Sequence, residues 1–342
     1  MRADRRVETA RALLDSGDPT AALSVLEQTL ELTPDWPELH FLIGEAAATS
    51  SHRDRAVAAY ARYLALSPDD RLGALPHLAL LGATPQPDGL PPAYVAALFD
   101  EYAPRFERSL LIGLDYQGPA QLLQAINSVS GSDTVFGSVL DLGCGTGLMG
   151  ERLRKVCAWI EGVDLSPAMI AQSSSKGVYD ALHVSELTAY LANDTRHFDL
   201  VTAADVLIYL GDLAPLFAAV TRRLVDGGLF AMTAEAVETD ATGLDRRLRP
   251  SRRFAHSADY LTRVAGEHGL VQRCHKRTVL RRDGPDAIEA HVMVFERVRA
   301  GDRLHALSPE RPELVQQEVP EDQTAGHHDL GDQIEHTKMV DQ

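Results

Sequence analysis

The clearest local pattern in the chain is Ser138-Val-Leu-Asp-Leu-Gly-Cys-Gly-Thr-Gly147. Its first five residues are a short, mostly apolar run that predicts a buried strand, and residues 148–156 continue as an amphipathic helix. Glycine is needed where a backbone turns sharply or where a ligand approaches the main chain. The pattern therefore predicts a strand, a ligand-binding turn and a helix, the opening unit of a doubly wound α/β sheet.

The turn differs from a dinucleotide-binding fingerprint. Leu148 stands where Gly-x-Gly-x-x-Gly has its third glycine, and Asp141 would repel a pyrophosphate but attract an ammonium group. The next predicted strand, residues 159–163, delivers Asp164, whose carboxylate can accept hydrogen bonds from both hydroxyls of a ribose. These residues predict a nucleoside ligand that has an amino group and no phosphate.

Four segments together resemble motifs I, post-I, IV and VI of class I S-adenosylmethionine-dependent methyltransferases. The resemblance implies a Rossmann-like, seven-stranded mixed sheet with S-adenosylmethionine as cofactor. Residues 94–107 and 248–260 are similar, more narrowly, to predicted bacterial methyltransferases with an N-terminal tetratricopeptide segment. The four segments are Val139-Leu-Asp-Leu-Gly-Cys-Gly-Thr-Gly147, Gly162-Val-Asp-Leu-Ser-Pro-Ala-Met169, Phe198-Asp-Leu-Val-Thr-Ala-Ala-Asp205 and Leu224-Val-Asp-Gly-Gly-Leu-Phe230.

The resemblance also implies which residues hold the methionine and ribose parts of the cofactor. Asp141 would contact the amino group, and Asp164 would hold the ribose. The methionine end would be lined by Gly143, Gly145 and Gly147.

The adenine side follows from the same resemblance. Leu165 and Met169 would flank the ring. Glu186 would accept a hydrogen bond from the adenine amino group, directly or together with the Leu187 amide. The alternative for Glu186 is a surface residue in the first turn of a helix.

The acceptor is expected near the end of the fourth strand, where doubly wound sheets bind their ligands. Asp205 is a candidate to take a proton from the acceptor or to orient it, with Tyr209 beside it. Alternatively, Asp205 caps the turn and Tyr209 packs. No Asn-Pro-Pro-Tyr sequence follows this strand, which disfavours methylation of DNA bases or glutamine amides by that device.

A basic segment follows the fifth predicted strand. Residues 246–282 contain eleven Lys and Arg residues against two acidic ones. We predict that Arg253 and His256, with Tyr260 one helical turn further on, bind an anionic acceptor, and His256 is a candidate catalyst. Alternatively, the patch meets an acidic partner or the acidic tail. Resembling sequences usually have glycine at the position of Arg252.

Phe99, Tyr102 and Phe106 recur at helical spacing just before the predicted sheet. Such a helix would lie over the cofactor and exclude water, with Tyr102 as the candidate for a polar contact. The alternative is simple core packing.

The N-terminal residues repeat with a period of 34: Leu32-Thr-Pro-Asp35 recurs as Leu66-Ser-Pro-Asp69. The segment from about residue 3 to residue 72 resembles tetratricopeptide repeats, an all-α module that commonly binds a partner protein. The alternative is a helical cap that only packs on the next domain. A stretch rich in proline and glycine, residues 82–92, predicts a boundary near residue 90.

We therefore expect three regions: a helical module over residues 1–90, a methyltransferase domain over residues 91–298 and an acidic, disordered tail over residues 299–342. Residues 271–280 and 288–296 are predicted to form an antiparallel pair that closes the sheet. Three scattered cysteines predict neither disulfides nor a metal site, and no metal is expected.

The formal net charge of −16 disfavours a nucleic-acid partner. No apolar run is long enough to span a bilayer, so we expect a cytoplasmic protein. The predicted function is methyl transfer to a small, anionic acceptor. A protein methyltransferase recruited through residues 1–90 and a non-catalytic cofactor-binding scaffold remain alternatives.

Overall fold

The structure is a computed structural model that describes residues 2–238, 245–283 and 286–298. These residues belong to one compact unit. The predicted tail, residues 299–342, lies outside the described residues. None of the helices in the described ranges is both long and apolar enough to cross a membrane.

The N-terminal module is helical, as the 34-residue period predicts. Proline occupies the first turn of α2 and of α3, where its fixed φ suits a helix start. Asp18 caps α2 by accepting a hydrogen bond from the Ala21 amide (3.0 Å). The module contains α1 (Arg2–Asp15), α2 (Pro19–Leu30), α3 (Pro37–Thr49), α4 (Arg53–Leu66) and α5 (Ala74–Leu80).

The rest of the described chain is built on one mixed sheet with the strand order β3-β2-β1-β4-β5 in parallel. The strand β9 pairs antiparallel with β5, and β8 pairs antiparallel with β9. The strands are β1 (Phe136–Leu142), β2 (Cys157–Asp164), β3 (Ala181–Val184), β4 (Phe198–Ala203), β5 (Leu224–Ala236), β6 (Arg246–Leu248), β7 (Phe254–His256), β8 (Leu270–Asp283) and β9 (Asp286–Arg297).

Helices cover both faces of the sheet, so its central strands are largely buried and mostly apolar. Along β1, Leu140 and Leu142 join the core that packs under α11 to α13, whereas Val139 joins the core under α8 and α9. These helices are α6 (Pro92–Tyr102), α7 (Phe106–Arg108), α8 (Gly118–Ser130), α9 (Leu148–Leu153), α10 (Pro167–Lys176), α11 (Leu187–Asn193), α12 (Ala214–Arg223) and α13 (Ala258–Glu267).

The predicted doubly wound, seven-stranded mixed sheet is confirmed, with two further short strands. The strands β6 and β7 form a hairpin, and β7 pairs with the end of β5 at Glu235 and Ala236. The sequence did not predict this hairpin, because strands of three residues leave no periodic pattern.

The predicted domain boundary near residue 90 stays a prediction. In the structure this segment is joined by main-chain hydrogen bonds to the connection between β4 and α12. The Leu90 amide donates to the Tyr209 carbonyl (2.9 Å), and the Gly211 amide donates to the Asp88 carbonyl (2.9 Å). The segment therefore packs as part of the unit that contains the sheet.

Candidate functional site

A cavity of about 360 Å³ lies at the carboxyl ends of β1, β2 and β4. Its size falls in the range of roughly 300–1,000 Å³ that holds small ligands. Most of its lining is apolar, with a few polar groups. Eleven of the predicted site residues line it: Tyr102, Asp141, Gly143, Gly145, Asp164, Leu165, Glu186, Leu187, Asp205, Tyr209 and Arg253.

Two glycines of the turn after β1 have different surroundings. Both have positive φ values, +64° at Gly143 and +53° at Gly145. A Cβ at Gly143 would lie 2.4 Å from a methyl carbon of Val206, whereas a Cβ at Gly145 would come no closer than 3.9 Å to any neighbour, the ring of Phe106. Gly143 is therefore required by packing, and Gly145 leaves open space on the pocket side of the backbone.

Asp164 connects this turn to the end of β2. Its carboxylate accepts hydrogen bonds from the Gly145 amide (2.9 Å) and the Ser166 amide (2.9 Å). Burial raises the pKa of Asp164, although these two bonds act in the opposite direction. Asp164 thus shapes the glycine turn and also lines the pocket.

Asp141 is buried within β1 and is held by two hydroxyl groups. Its carboxylate accepts hydrogen bonds from Tyr179 (2.6 Å) and Thr202 (2.7 Å). Burial raises the pKa of Asp141 to about 6, and the two hydrogen bonds lower it. Neither hydroxyl partner was predicted from the sequence, since both lie on other elements and no local pattern links them to Asp141.

The predicted adenine side is partly assembled. Leu165 and Leu187 line the pocket, while Met169 is fully buried in α10 outside the lining. The Glu186 carboxylate accepts hydrogen bonds from the Thr188 amide (3.0 Å) and the Ala189 amide (2.7 Å), so it caps α11. Its predicted contact with adenine stays a prediction.

Three more predicted residues lie outside the pocket lining. Gly147 starts α9 with φ +91°. His256 is fully buried and faces the Gly211 carbonyl (3.1 Å), and burial lowers its pKa to about 4. The Tyr260 hydroxyl donates to Asp212 (3.0 Å). The structure therefore brings neither His256 nor Tyr260 to the pocket: His256 ends the unpredicted hairpin and is buried beside Gly211, and Tyr260 packs in the core from α13.

Asp205 has a buried cation as its partner. Arg281, with 1% of its side chain exposed, donates to both carboxylate oxygens of Asp205 (2.8 and 2.7 Å) and to Glu235. The Asp205 backbone has φ +59°, and its amide donates to Thr233 (2.8 Å). Arg281 lines the pocket but was missed, since within the Arg-rich β8 its inward orientation gives no sequence signal.

Arg253 and Tyr209 line the same pocket. Burial raises the pKa of Tyr209 to about 12, and the nearby charge of Arg253 acts in the opposite direction. Phe99 packs edge-on against the Tyr209 ring (5.4 Å between centroids). Within the ranges that the structure describes, Arg253 forms no ion pair with a carboxylate.

The aromatic residues predicted to cover the pocket do line it. Phe99 and Tyr102 belong to α6, and Phe106 follows in α7. The helix α6 is fixed by Asp100, whose carboxylate accepts hydrogen bonds from the Ser166 hydroxyl (2.6 Å) and the Ala168 amide (3.2 Å). The start of α10, which follows closely after Asp164, thus holds α6 and its aromatic residues over the pocket.

Two family models match the chain. A methyltransferase-domain model matches residues 140–230, and a tetratricopeptide-repeat model matches residues 7–71. A ubiquinone biosynthesis O-methyltransferase of Xanthomonas oryzae pv. oryzae is 30% identical over 130 residues, covering 35% of this chain and 54% of that protein. The chain thus spans about half the length of this curated relative.

Other similar proteins cover more of the chain at lower identity. The ubiquinone biosynthesis O-methyltransferase of Xylella fastidiosa (strain 9a5c) is 27% identical over 228 residues, covering 59% of this chain and 89% of that protein. Among solved structures, the N-methyltransferase NodS of Bradyrhizobium japonicum in complex with S-adenosyl-L-homocysteine is 20% identical, with a TM-score of 0.43, and covers 53% of this chain and 86% of its own.

The matched residues coincide with the geometry described above. The methyltransferase-domain match runs from β1 to β5 and includes the glycine turn, Asp141 and Asp164. The repeat match includes α2, α3 and α4. The chain therefore carries a class I S-adenosylmethionine-dependent methyltransferase domain behind an N-terminal tetratricopeptide-repeat segment.

Proposed function

We propose that the protein transfers a methyl group from S-adenosylmethionine to a small molecule that carries an anionic group on an apolar body. One observation carries this proposal: a single pocket joins the glycine turn and its two carboxylates to the Arg253–Tyr209 pair. Direct transfer of a methyl group requires that the cofactor and the acceptor are bound next to each other. A cavity that contains both a cofactor site and a cationic site for the acceptor meets this requirement.

The residues at one end of the pocket suit S-adenosylmethionine. The open space beside Gly145 admits a ligand against the main chain, Asp141 attracts the amino group, and Asp164 accepts from ribose hydroxyls. The bound cofactor would supply an electrophilic methyl group. The chain's own task is then to hold both molecules in line and to exclude water.

The residues at the other end suit an amphipathic acceptor. Leu90, Val95 and Phe99 line the pocket beside Arg253. A guanidinium without a carboxylate partner favours an anion such as a carboxylate. Oxygen is the acceptor atom that we propose, because the two similar proteins of Xanthomonas and Xylella are O-methyltransferases.

Asp205 is assigned to orienting the acceptor. Both of its carboxylate oxygens already accept hydrogen bonds from Arg281, which fixes the orientation of the carboxylate. The remaining lone pairs of these oxygens can still accept a hydrogen bond from an acceptor hydroxyl. Tyr209 would be fixed against the acceptor by Arg253 and Phe99.

Cofactor binding is tested by calorimetry with S-adenosyl-L-homocysteine. We expect Asp164→Ala to weaken binding by more than about tenfold, because it removes a charged hydrogen-bond acceptor and releases the Gly145 amide. Asp133→Ala, which changes an exposed acidic residue before β1, is the matched control. Unchanged affinity in Asp164→Ala would contradict the proposal.

Methyl transfer is tested with labelled S-adenosylmethionine and a panel of hydroxylated aromatic and aliphatic carboxylates. We expect turnover of at least one of them, and a raised KM in Arg253→Ala with smaller effects on cofactor affinity. Labelled metabolite profiling of cells that lack or overexpress the protein would identify the natural acceptor. Methylation of proteins alone, or of nothing, would support one of the two alternatives instead.

A protein acceptor recruited through the repeats needs a test other than deletion. Residues 86–90 bond to the sheet, so removing the N-terminal residues would also disturb the pocket. Substitutions confined to exposed residues of the module, such as Glu31→Ala and Arg71→Ala, are the better choice. Loss of methylation of a protein target in such variants, with unchanged cofactor affinity, would favour that alternative.

A further inference from the structure

The hairpin formed by β6 and β7 connects the helical module to the acceptor side of the pocket. Its turn is closed by the Arg252 amide, which donates to the Arg249 carbonyl (2.8 Å), and by the Arg249 amide, which donates to the Arg253 carbonyl (2.9 Å). This is the pattern of a tight turn followed by a bulge residue in the left-handed region.

Arg252 occupies that left-handed position with φ +58°. Glycine is the residue that adopts this conformation without strain, so an arginine here requires a compensating interaction. The structure provides one on the helical module: the Arg252 guanidinium donates to Nε2 of His77 (3.0 Å). Since a guanidinium carries donors only, Nε2 is the acceptor and the ring proton is on Nδ1.

His77 is held rigidly within the module. Its ring stacks on Tyr60 (4.9 Å between centroids, 18° between planes) and meets the edge of Phe41 (5.8 Å). Burial, together with the nearby charge of Arg252, lowers the pKa of His77 to about 4. A neutral imidazole at ordinary pH keeps Nε2 free to accept the hydrogen bond.

A second contact holds the same hairpin from the module side. The Leu248 amide donates to the side-chain oxygen of Gln86 (2.7 Å), and Arg246 pairs with Asp88 (3.0 Å). The residue after Arg252 is Arg253, which lines the pocket together with Tyr209 and lies near enough for its charge to act on the Tyr209 hydroxyl. The two neighbouring arginines therefore connect the repeat module with the acceptor end of the cavity.

We propose that His77 and Arg252 are positioning residues for acceptor binding: their contact fixes the hairpin turn and thereby holds Arg253 in the pocket. The inference rests on the proposed function, which assigns Arg253 to the acceptor. It makes the helical module a part of acceptor recognition. Cofactor binding does not depend on the contact, because the glycine turn, Asp141 and Asp164 are held by other elements.

The test uses the full chain loaded with S-adenosyl-L-homocysteine. His77→Phe keeps an aromatic ring against Tyr60 and removes the acceptor nitrogen. Arg252→Gly removes the guanidinium and suits the left-handed turn, so it is not expected to unfold the hairpin. His77→Gln restores an acceptor at a similar reach, and Arg273→Ala, an exposed residue of β8 paired with Glu296, is the control.

Amide hydrogen exchange is followed by mass spectrometry over residues 248–256 and over residues 139–147. We expect exchange in the hairpin to become about tenfold faster in His77→Phe and in Arg252→Gly, with no further increase in the double variant. His77→Gln should stay close to the wild type. Exchange in residues 139–147 and affinity for S-adenosyl-L-homocysteine should change less than about twofold.

Turnover is measured on the carboxylate from the panel above that the wild type methylates fastest. The expected result for both single variants is a KM raised about tenfold with kcat changed much less, since only binding by Arg253 is affected. The inference would be overturned if amide exchange in the hairpin were as slow in both variants as in the wild type. An unchanged KM despite faster exchange would also overturn it. Failure to methylate any carboxylate would overturn the proposed function, while the exchange data would still decide whether the contact holds the hairpin.

Discussion

Arg281 donates to both carboxylate oxygens of Asp205, although the two residues are 76 positions apart in the sequence. The same guanidinium reaches Glu235, which also pairs with Arg249 (3.2 Å). Burial alone disfavours the charged guanidinium, but the two carboxylates outweigh it, and the pKa of Arg281 lies above its ordinary value. These four side chains form a chain of alternating charges, of which Asp205 and Arg281 line the pocket.

Removing Arg281 should destabilise the fold strongly. Arg281→Met would leave the largely buried Asp205 without its cation and the buried Glu235 with Arg249 alone, and losing one partner of a buried pair costs about 3–5 kcal/mol. Denaturant unfolding gives the free energy of unfolding. The control Arg273→Ala, which breaks an exposed pair, should cost less than about 1 kcal/mol. Equal losses in the two variants would contradict the structural role.

The two glycines of the turn after β1 should respond differently to alanine. Gly143→Ala places a methyl group against Val206 and should lower the free energy of unfolding by more than about 2 kcal/mol, because a tight backbone turn cannot move away. Gly145→Ala meets no neighbour within 3.9 Å and should cost about 1 kcal/mol for its positive φ.

Gly143→Ala and Gly145→Ala should also differ in their effect on cofactor affinity. Gly145→Ala adds its methyl group on the pocket side, so we expect binding of S-adenosyl-L-homocysteine to weaken by more than about tenfold in a folded protein. Calorimetry on each variant, after a check of folding by circular dichroism, provides the measurement. Undiminished affinity in Gly145→Ala would mean that the ligand does not approach the main chain there.

The sequence predicted the parts of the site that are encoded locally. Asp141, the glycine turn and Asp164 were found because strand, turn and acid follow one another in the chain. Tyr179 and Arg281 were missed because their partners are distant in the sequence and their positions depend on packing. His256 was assigned to the acceptor because a hairpin of two three-residue strands was not predicted, and that hairpin turns the imidazole toward Gly211.

Cofactor affinity should depend on the ionisation of Asp141. Its pKa is raised from 3.8 to about 6, so the folded chain binds this proton more tightly than the unfolded chain does. The contribution of Asp141 to the free energy of unfolding is therefore present below about pH 4 and is lost as the pH rises to about 6. Binding of an ammonium group requires the carboxylate. Affinity for S-adenosyl-L-homocysteine should therefore fall by about tenfold between pH 7 and pH 5.

Tyr179→Phe tests that assignment, because it removes a hydrogen bond that lowers the pKa of Asp141. The pH at which affinity begins to fall should move upward in this variant. Tyr190→Phe, which removes a hydroxyl bonded to Glu161 outside the pocket, should leave the profile unchanged. A profile that is flat in the wild type, or identical in Tyr179→Phe, would exclude Asp141 as the group that binds the amine.

Asp100 should control how fast the cofactor leaves. It fixes α6, which carries Phe99 and Tyr102 over the pocket, to the start of α10. Losing a hydrogen bond to a charged group is worth about 1.5–3 kcal/mol, so Asp100→Ala should loosen the cover and speed dissociation of S-adenosyl-L-homocysteine by about tenfold or more. Stopped-flow or surface-based kinetics would measure this rate.

The neighbouring Glu101→Ala is the matched control for Asp100→Ala, since its side chain is 79% exposed and pairs only with Arg105 among the described residues. Asp100→Asn keeps an oxygen that can accept from the Ser166 hydroxyl and should recover most of the wild-type rate. Equal dissociation rates in Asp100→Ala and Glu101→Ala would mean that α6 does not retain the ligand. The aromatic face of α6 would then contribute packing alone, which is the alternative that its helical spacing also allows.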